Sequence, residues 1–194
     1  MKLAGTIAWW IIIFFYKLRS QYWLSGEYGA GGSALYTDGS DSIRFSENLI
    51  LDIENTGYGD YLNADRIVGS RGGVTRWHSV TNNVFIDCRK HAIEFANPYN
   101  FSNGNIFSHV RPGYLKMGNP LPALLLDLEA WQKCFGWEKD GKRAEVSGKF
   151  NPDSLELSIT GKENELVKLL HKGPFDSYGR FINIPVDPRI KYRN

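Results

Sequence analysis

Three short apolar segments, each opened by an asparagine, recur along the chain: Asn48-Leu-Ile-Leu-Asp-Ile53, Asn83-Val-Phe-Ile-Asp-Cys88 and Asn105-Ile-Phe-Ser-His-Val110. They are spaced by 35 and 22 residues. A single segment of this length cannot bury its own apolar face, so repetition implies stacking into one shared core. Asparagine suits the corner before each segment, because it tolerates the left-handed backbone region and hydrogen-bonds nearby backbone. Stacked asparagines can also form ladders between rungs.

A second series interleaves with the first: Ala34-Leu-Tyr36, Ile67-Val68, Ala92-Ile-Glu-Phe95 and Tyr114-Leu-Lys-Met117. Two strands per repeat follow. The surplus of the longer interval, around Asn55 to Arg66 or Gly69 to His78, reads as a loop protruding from one corner. Ile50, Phe85 and Phe107 are then expected in adjacent parallel strands.

Residues 31–118 carry this pattern. Residues 1–30 hold the unbroken apolar run Ile7 to Tyr16, too short to span a bilayer and read as a truncated coil or a signal-like segment. In residues 119–194, Asn119-Pro-Leu-Pro122 makes a stiff break. Asp127 is then the N-cap of a helix placing Leu128, Trp131 and Phe135 on one face before Gly136 stops it. The remainder reads as a cap or appendage. Cys88 and Cys134 are too few for a disulfide framework or a zinc cluster. A net charge of +2 with balanced acids and bases gives no reason to invoke nucleic acid.

The segment Ala34-Leu-Tyr-Thr-Asp-Gly-Ser40, the asparagine corners and Leu128-x-x-Trp131-Gln132-x-x-x-Gly136 together resemble right-handed parallel β-helix proteins of the pectin-lyase-like type. That group includes polysaccharide lyases and glycoside hydrolases. The resemblance implies an all-β solenoid of few coils, closed by a short helix and an irregular carboxyl-terminal cap. Further amino-terminal coils would be missing or supplied by self-association at the open end. It also implies an extracellular or cell-surface protein with a polysaccharide partner and no stable transmembrane span.

A lyase needs a base beside a uronate carboxylate and cations to neutralise that carboxylate, whereas a hydrolase needs two carboxyl groups flanking the bond. Both sets are present. Asp38, Asp65, Arg71, His78 and Glu94 are the catalytic candidates, and Arg66, Arg76, Trp77 and His91 the substrate-binding ones. Turn chemistry, ion pairing and ordinary hydrogen bonding explain many of them equally well. No metal is required, with calcium at Asp38 and Asp41 the open alternative. A non-catalytic glycan-binding or structural solenoid competes with the enzyme reading.

Overall fold

The computed structural model describes residues 14–17, 32–62, 73, 75–110, 115–117, 124–151, 153, 156–162 and 191–192. Its elements are β1 (Phe14–Tyr16), β2 (Leu35–Asp38), β3 (Arg44–Ser46), β4 (Leu49–Ile53), β5 (Thr56–Tyr61), β6 (Ser79–Thr81), β7 (Val84–Cys88), β8 (His91–Phe95), β9 (Phe101–Asn103), β10 (Ile106–Ser108), β11 (Leu115–Met117), β12 (Leu124–Leu126), α1 (Leu128–Phe135), β13 (Lys142–Arg143), β14 (Val146–Asn151), β15 (Glu156–Gly161) and β16 (Lys191–Tyr192). The described chain is thus all-β with one short helix.

Strands from successive passes of the chain pair in parallel. Sheet one runs β1-β4-β7-β10-β13, sheet two β2-β5-β8-β11-β12 and sheet three β3-β6-β9, while β14, β15 and β16 form a separate sheet. Among the described residues of the first three sheets, only the β11–β12 pair is antiparallel. Ile50 pairs with Phe85 and Phe85 with Phe107, as the repeat predicted. The end of the apolar amino-terminal run joins them, Phe15 pairing with Ile50.

Among the described residues the passes build three parallel sheets, not two. Sheet three escaped the sequence reading because its strands, Arg-Phe-Ser, Ser-Val-Thr and Phe-Ser-Asn, are three residues long and turn only the middle one inward. The second series also needs correcting. Its place between β2 and β8 belongs to β5, whose Thr-Gly-Tyr-Gly-Asp-Tyr looks like a turn, and Ile67-Val68 lies outside the described residues. Asp38 is matched by Tyr61 and Asp41 by Arg76, so the extra residues of the long pass fall between Tyr61 and Arg76.

The asparagines form the anticipated ladder. Asn83 Oδ1 accepts from the backbone and side-chain nitrogens of Asn48 at 3.0 and 2.9 Å. Asn105 Oδ1 accepts from those of Asn83 at 2.9 and 3.0 Å. The residues just before them, Glu47, Asn82 and Gly104, all have positive φ, which makes this corner sharp. A second left-handed column, Lys17, Asp52, Asp87 and His109, bends the ends of the sheet-one segments. Asp52 and Asp87 are therefore one repeated outward position, paired with Arg89 at 3.1 Å and His109 at 3.5 Å.

Helix α1 is capped as its sequence indicates: Asp127 accepts from Ala130 N, and Gly136 ends it at φ 68°. Trp131 is fully buried and donates from Nε1 to Ser102 Oγ at 3.0 Å. After the helix the chain returns to the stack. Glu138 receives both nitrogens of Asn105 and so terminates the ladder, and β13 adds to the edge of sheet one.

Both faces of sheet one are buried. Ile50, Phe85 and Phe107 point into the main core, while Leu49, Leu51, Val84, Ile86 and Ile106 on the other face are also shielded. Strand β14 lies against that outer face. Gly148 approaches Leu51 so closely that an added Cβ would sit 2.7 Å from Cδ1, and Ser108 Oγ donates to Val146 O at 2.7 Å. Cys88 is buried and Cys134 exposed, both unpaired.

Candidate functional site

Asp65, Arg66 and Arg71 lie outside the described residues. His78 turns inward instead of facing a groove, at 1 % exposure. Its Nε2 is 2.8 Å from the carbonyl oxygen of Ser40, which can only accept, so Nε2 carries the proton. The Tyr58 hydroxyl lies 2.6 Å from Nδ1 and engages the other ring nitrogen. Asp60 completes this interior cluster, 3.4 Å from His78 Nδ1 and receiving Asn100 Nδ2 at 2.7 Å and the backbone N–H of Ala96. Both ring nitrogens are engaged inside the protein, which leaves His78 a structural hydrogen-bonder with no open approach for a substrate.

Burial pushes the Asp60 carboxyl up to about 7, with the charge of Glu94 adding to the effect and hydrogen bonds from Ala96 and Asn100 opposing it. An unfolded aspartate ionises near 3.8, so between that pH and about 7 the folded protein holds a proton that the unfolded chain has released. Stability from this group is therefore lost as pH rises through the window. Urea unfolding followed from pH 4 to pH 8 is expected to fall more steeply for the native sequence than for Asp60→Asn. Parallel profiles would remove Asp60 as the cause.

Glu94 and His91 do come together. Both sit on β8, with His91 Nε2 4.0 Å from Glu94 Oε2. Across sheet two the register places Tyr36, Gly59, Glu94 and Lys116 in one row. Gly59 is the reason the row works. A Cβ there would meet the Tyr61 ring at 2.9 Å, and its absence lets that ring fold back across the row. The Tyr61 hydroxyl then donates to Glu94 Oε2 at 3.2 Å, and its ring packs against Tyr36 at 4.9 Å between centroids. Burial, followed by the charge of Glu94, holds the Tyr61 phenol well above its ordinary range, so it stays a donor. Asp38 occupies the position paired with Tyr61 on the neighbouring strand.

Arg76 and Trp77 are elsewhere, at the corner where the chain leaves sheet two for sheet three. The Arg76 Nε is 3.7 Å from Asp41, and its guanidinium lies 4.0 Å over the Trp77 ring. Asp41 is thus engaged by an arginine. Among the described residues, no group of three or more His, Cys, Asp or Glu side chains is placed to hold a metal ion.

The residues that sequence reasoning passed over are Tyr36, Tyr61 and Asp60. Their only signal was alternation within Leu35–Asp38 and Thr56–Tyr61, hidden in the second by two glycines. No family model, curated protein or solved structure matches the chain. No helix among the described residues is long and apolar enough to cross a membrane.

Proposed function

We propose that this is a right-handed parallel β-helix protein of the pectin-lyase-like kind, secreted or surface-bound, that acts on a polysaccharide lying along the outer face of sheet two. The observation that carries the reading is the Tyr36–Tyr61–Glu94 row over Gly59, with His91 and Asp38 beside it. Tyrosine rings give flat, amphipathic surfaces for sugar, and a fixed carboxylate beside them supplies polar recognition or proton transfer. Strand β14 covers the outer face of sheet one, whereas the outer face of sheet two carries this row. The insertion between Tyr61 and Arg76 begins at the edge of this face and carries Arg66 and Arg71.

A hydrolase would draw on Glu94 and Asp38, and a lyase on His91 with the arginines of the insertion. The second reading, a non-catalytic glycan-binding or structural solenoid, is favoured by two facts. Glu94 is only 4 % exposed, and His78 is committed to the interior.

Incubation with uronate-containing and neutral polysaccharides, read by absorbance of unsaturated ends and by reducing sugar, separates the chemistries. Glu94→Gln is expected to lower turnover by roughly 100-fold or more, the scale of a lost acid–base group. Binding without turnover would select the second reading. Neither binding nor turnover on any polymer would end the carbohydrate proposal.

A further inference from the structure

Glu94 anchors the sheet-two row, yet it is 4 % exposed, too enclosed to touch a polymer as the face stands. What lies beside it accounts for the conflict. Gly59, its register partner on β5, has no side chain, and the phenol head of Tyr61 fills that place. A Cβ on Gly59 would sit 2.9 Å from Tyr61 Cε2, 3.1 Å from the hydroxyl oxygen and 3.3 Å from Cζ, so the ring rests directly on bare backbone. On one side it packs against Tyr36, the partner of Gly59 on β2, with 4.9 Å between ring centroids. On the other its hydroxyl donates to Glu94 Oε2 at 3.2 Å. Tyr61 thus occupies a slot whose floor is Gly59 and whose walls are Tyr36 and Glu94.

We propose that Tyr61 is a gate: the ring over Gly59 is the closed form of the sheet-two site, and it swings aside when a sugar ring takes its place between Tyr36 and Glu94. The proposal rests on the polysaccharide function above and concerns the regulation of that same site.

The phenol imitates the ligand. It is a six-membered ring lying against an aromatic neighbour with a hydroxyl donated to a carboxylate, and a pyranose placed in the slot would make the same two contacts. Tyr36 and Glu94 stand on strands two spacings apart, about 10 Å, a span that one ring bridges.

The contacts that hold the ring are also ones a ligand replaces. Its hydrogen bond to Glu94 is longer than the usual spacing of two oxygens so joined, and its contact with Tyr36 is tilted by 35°. A sugar hydroxyl takes over the first and a sugar C–H face the second, so opening leaves neither Glu94 nor Tyr36 without a partner. The backbone under the ring meanwhile stays fixed. Tyr61 is the last residue of β5 and its carbonyl accepts the Gly39 N–H at 3.1 Å, so rotation about side-chain bonds clears the slot without breaking the ladder. A site that is closed for part of the time binds with an affinity reduced by its open fraction, and a ligand that fills the slot draws the population open.

The test is carbodiimide labelling of the full chain with an amine nucleophile, read residue by residue by mass spectrometry. Glu94 is expected to label slowly in the native chain and roughly 10-fold faster or more in Tyr61→Ala and in Gly59→Ala, whose added methyl displaces the ring. Glu138, fully buried at the end of the asparagine ladder, is expected to stay unlabelled in both, which separates opening of the slot from loss of the fold. If either variant exposes Glu138, Tyr61→Phe decides: it keeps the ring, drops the hydrogen bond, and is expected to label Glu94 about 3-fold faster. Native labelling rates for Glu94 in all three variants overturn the gate. Calorimetric titration with a uronate homopolymer and a neutral glucan gives a second readout. Tyr61→Ala is expected to bind the recognised polymer more tightly than the native chain, because the ring no longer has to be moved. Equal or weaker binding makes Tyr61 a fixed platform and overturns the gate. Faster labelling of Glu94 with no polymer bound by any variant overturns the sugar ring as occupant, and the carbohydrate function with it, while Tyr61 stands as the cover of Glu94.

Discussion

Replacing Asn83 by leucine is expected to destabilise the protein by about 4 kcal/mol, although the new side chain has the same number of heavy atoms and the same branching. Asn83 is fully buried in the middle of the ladder. Its carbonyl oxygen receives the backbone and side-chain nitrogens of Asn48, and its own side-chain nitrogen donates to Phe45 O and Asn105 Oδ1. Leucine leaves the Asn48 N–H and the Phe45 carbonyl without these partners in a site shut off from water. Each orphaned buried group costs about 1–3 kcal/mol, so two of them account for the estimate. Asn103 is the contrasting case. It bonds Asp140 at the surface through Nδ2, 3.0 Å away, and Asn103→Ala is expected to cost under about 1 kcal/mol. Urea denaturation of both variants decides the matter. Similar losses would mean that the ladder adds nothing beyond an ordinary surface amide.

The ladder also shows which parts of the architecture the sequence could reveal. Asn48, Asn83 and Asn105 were legible because one residue type recurs at the head of matching apolar segments, and parallel register follows when like positions stack. Helix α1 was legible because caps are local: Asp127 and Gly136 act within a few residues of themselves. Sheet three was not, since Phe45, Val80 and Ser102 each stand alone as the inward residue of a three-residue strand, too little for periodicity to register. Strand β5 misled for a different reason. Gly57 and Gly59 suggest a turn, but both are close-approach positions, one against Phe85 and the other under the Tyr61 ring.

The site residues divide along the same line. Glu94 and His91 fall on one strand three residues apart, a spacing that strand alternation assigns to opposite faces, so their 4.0 Å approach is a finding of the structure. His78 was misjudged because its surroundings come from the passes on either side, Ser40 and Asn100, and from Tyr58 and Asp60 about twenty residues earlier in its own pass. Nothing near His78 in sequence announces those partners. Tyr61 reaches Glu94 only because Gly59 is bare, a relation between two adjacent strands that a single segment cannot display.

Trp131→Ala is expected to cost about 4 kcal/mol, the range for removing a large buried aromatic, and to act first on the helix that carries it. An isolated eight-residue helix is not stable in water, so α1 depends on docking. Trp131 and Leu128 are its buried residues, and Trp131 packs against Phe95 at 5.8 Å, Phe135 at 5.4 Å and Trp137 at 5.3 Å while its indole N–H satisfies Ser102 Oγ. Truncation leaves a cavity at the end of the core and removes the reason for the helix to stay. The effect should extend to the ladder, because Gln132 Nε2 in α1 donates to the Glu138 carbonyl at 2.6 Å and Glu138 receives Asn105. Trp131→Phe keeps most of the apolar contact and loses the indole hydrogen bond, and is expected to cost only about 1–2 kcal/mol. Hydrogen exchange of Trp131→Ala is expected to show the amides of 131–136 losing protection, then Asn105, while β4 and β7 hold until global unfolding. If the helix amides keep their native protection as the urea midpoint falls, Trp131 stabilises the stack as a whole and α1 does not rely on it for docking.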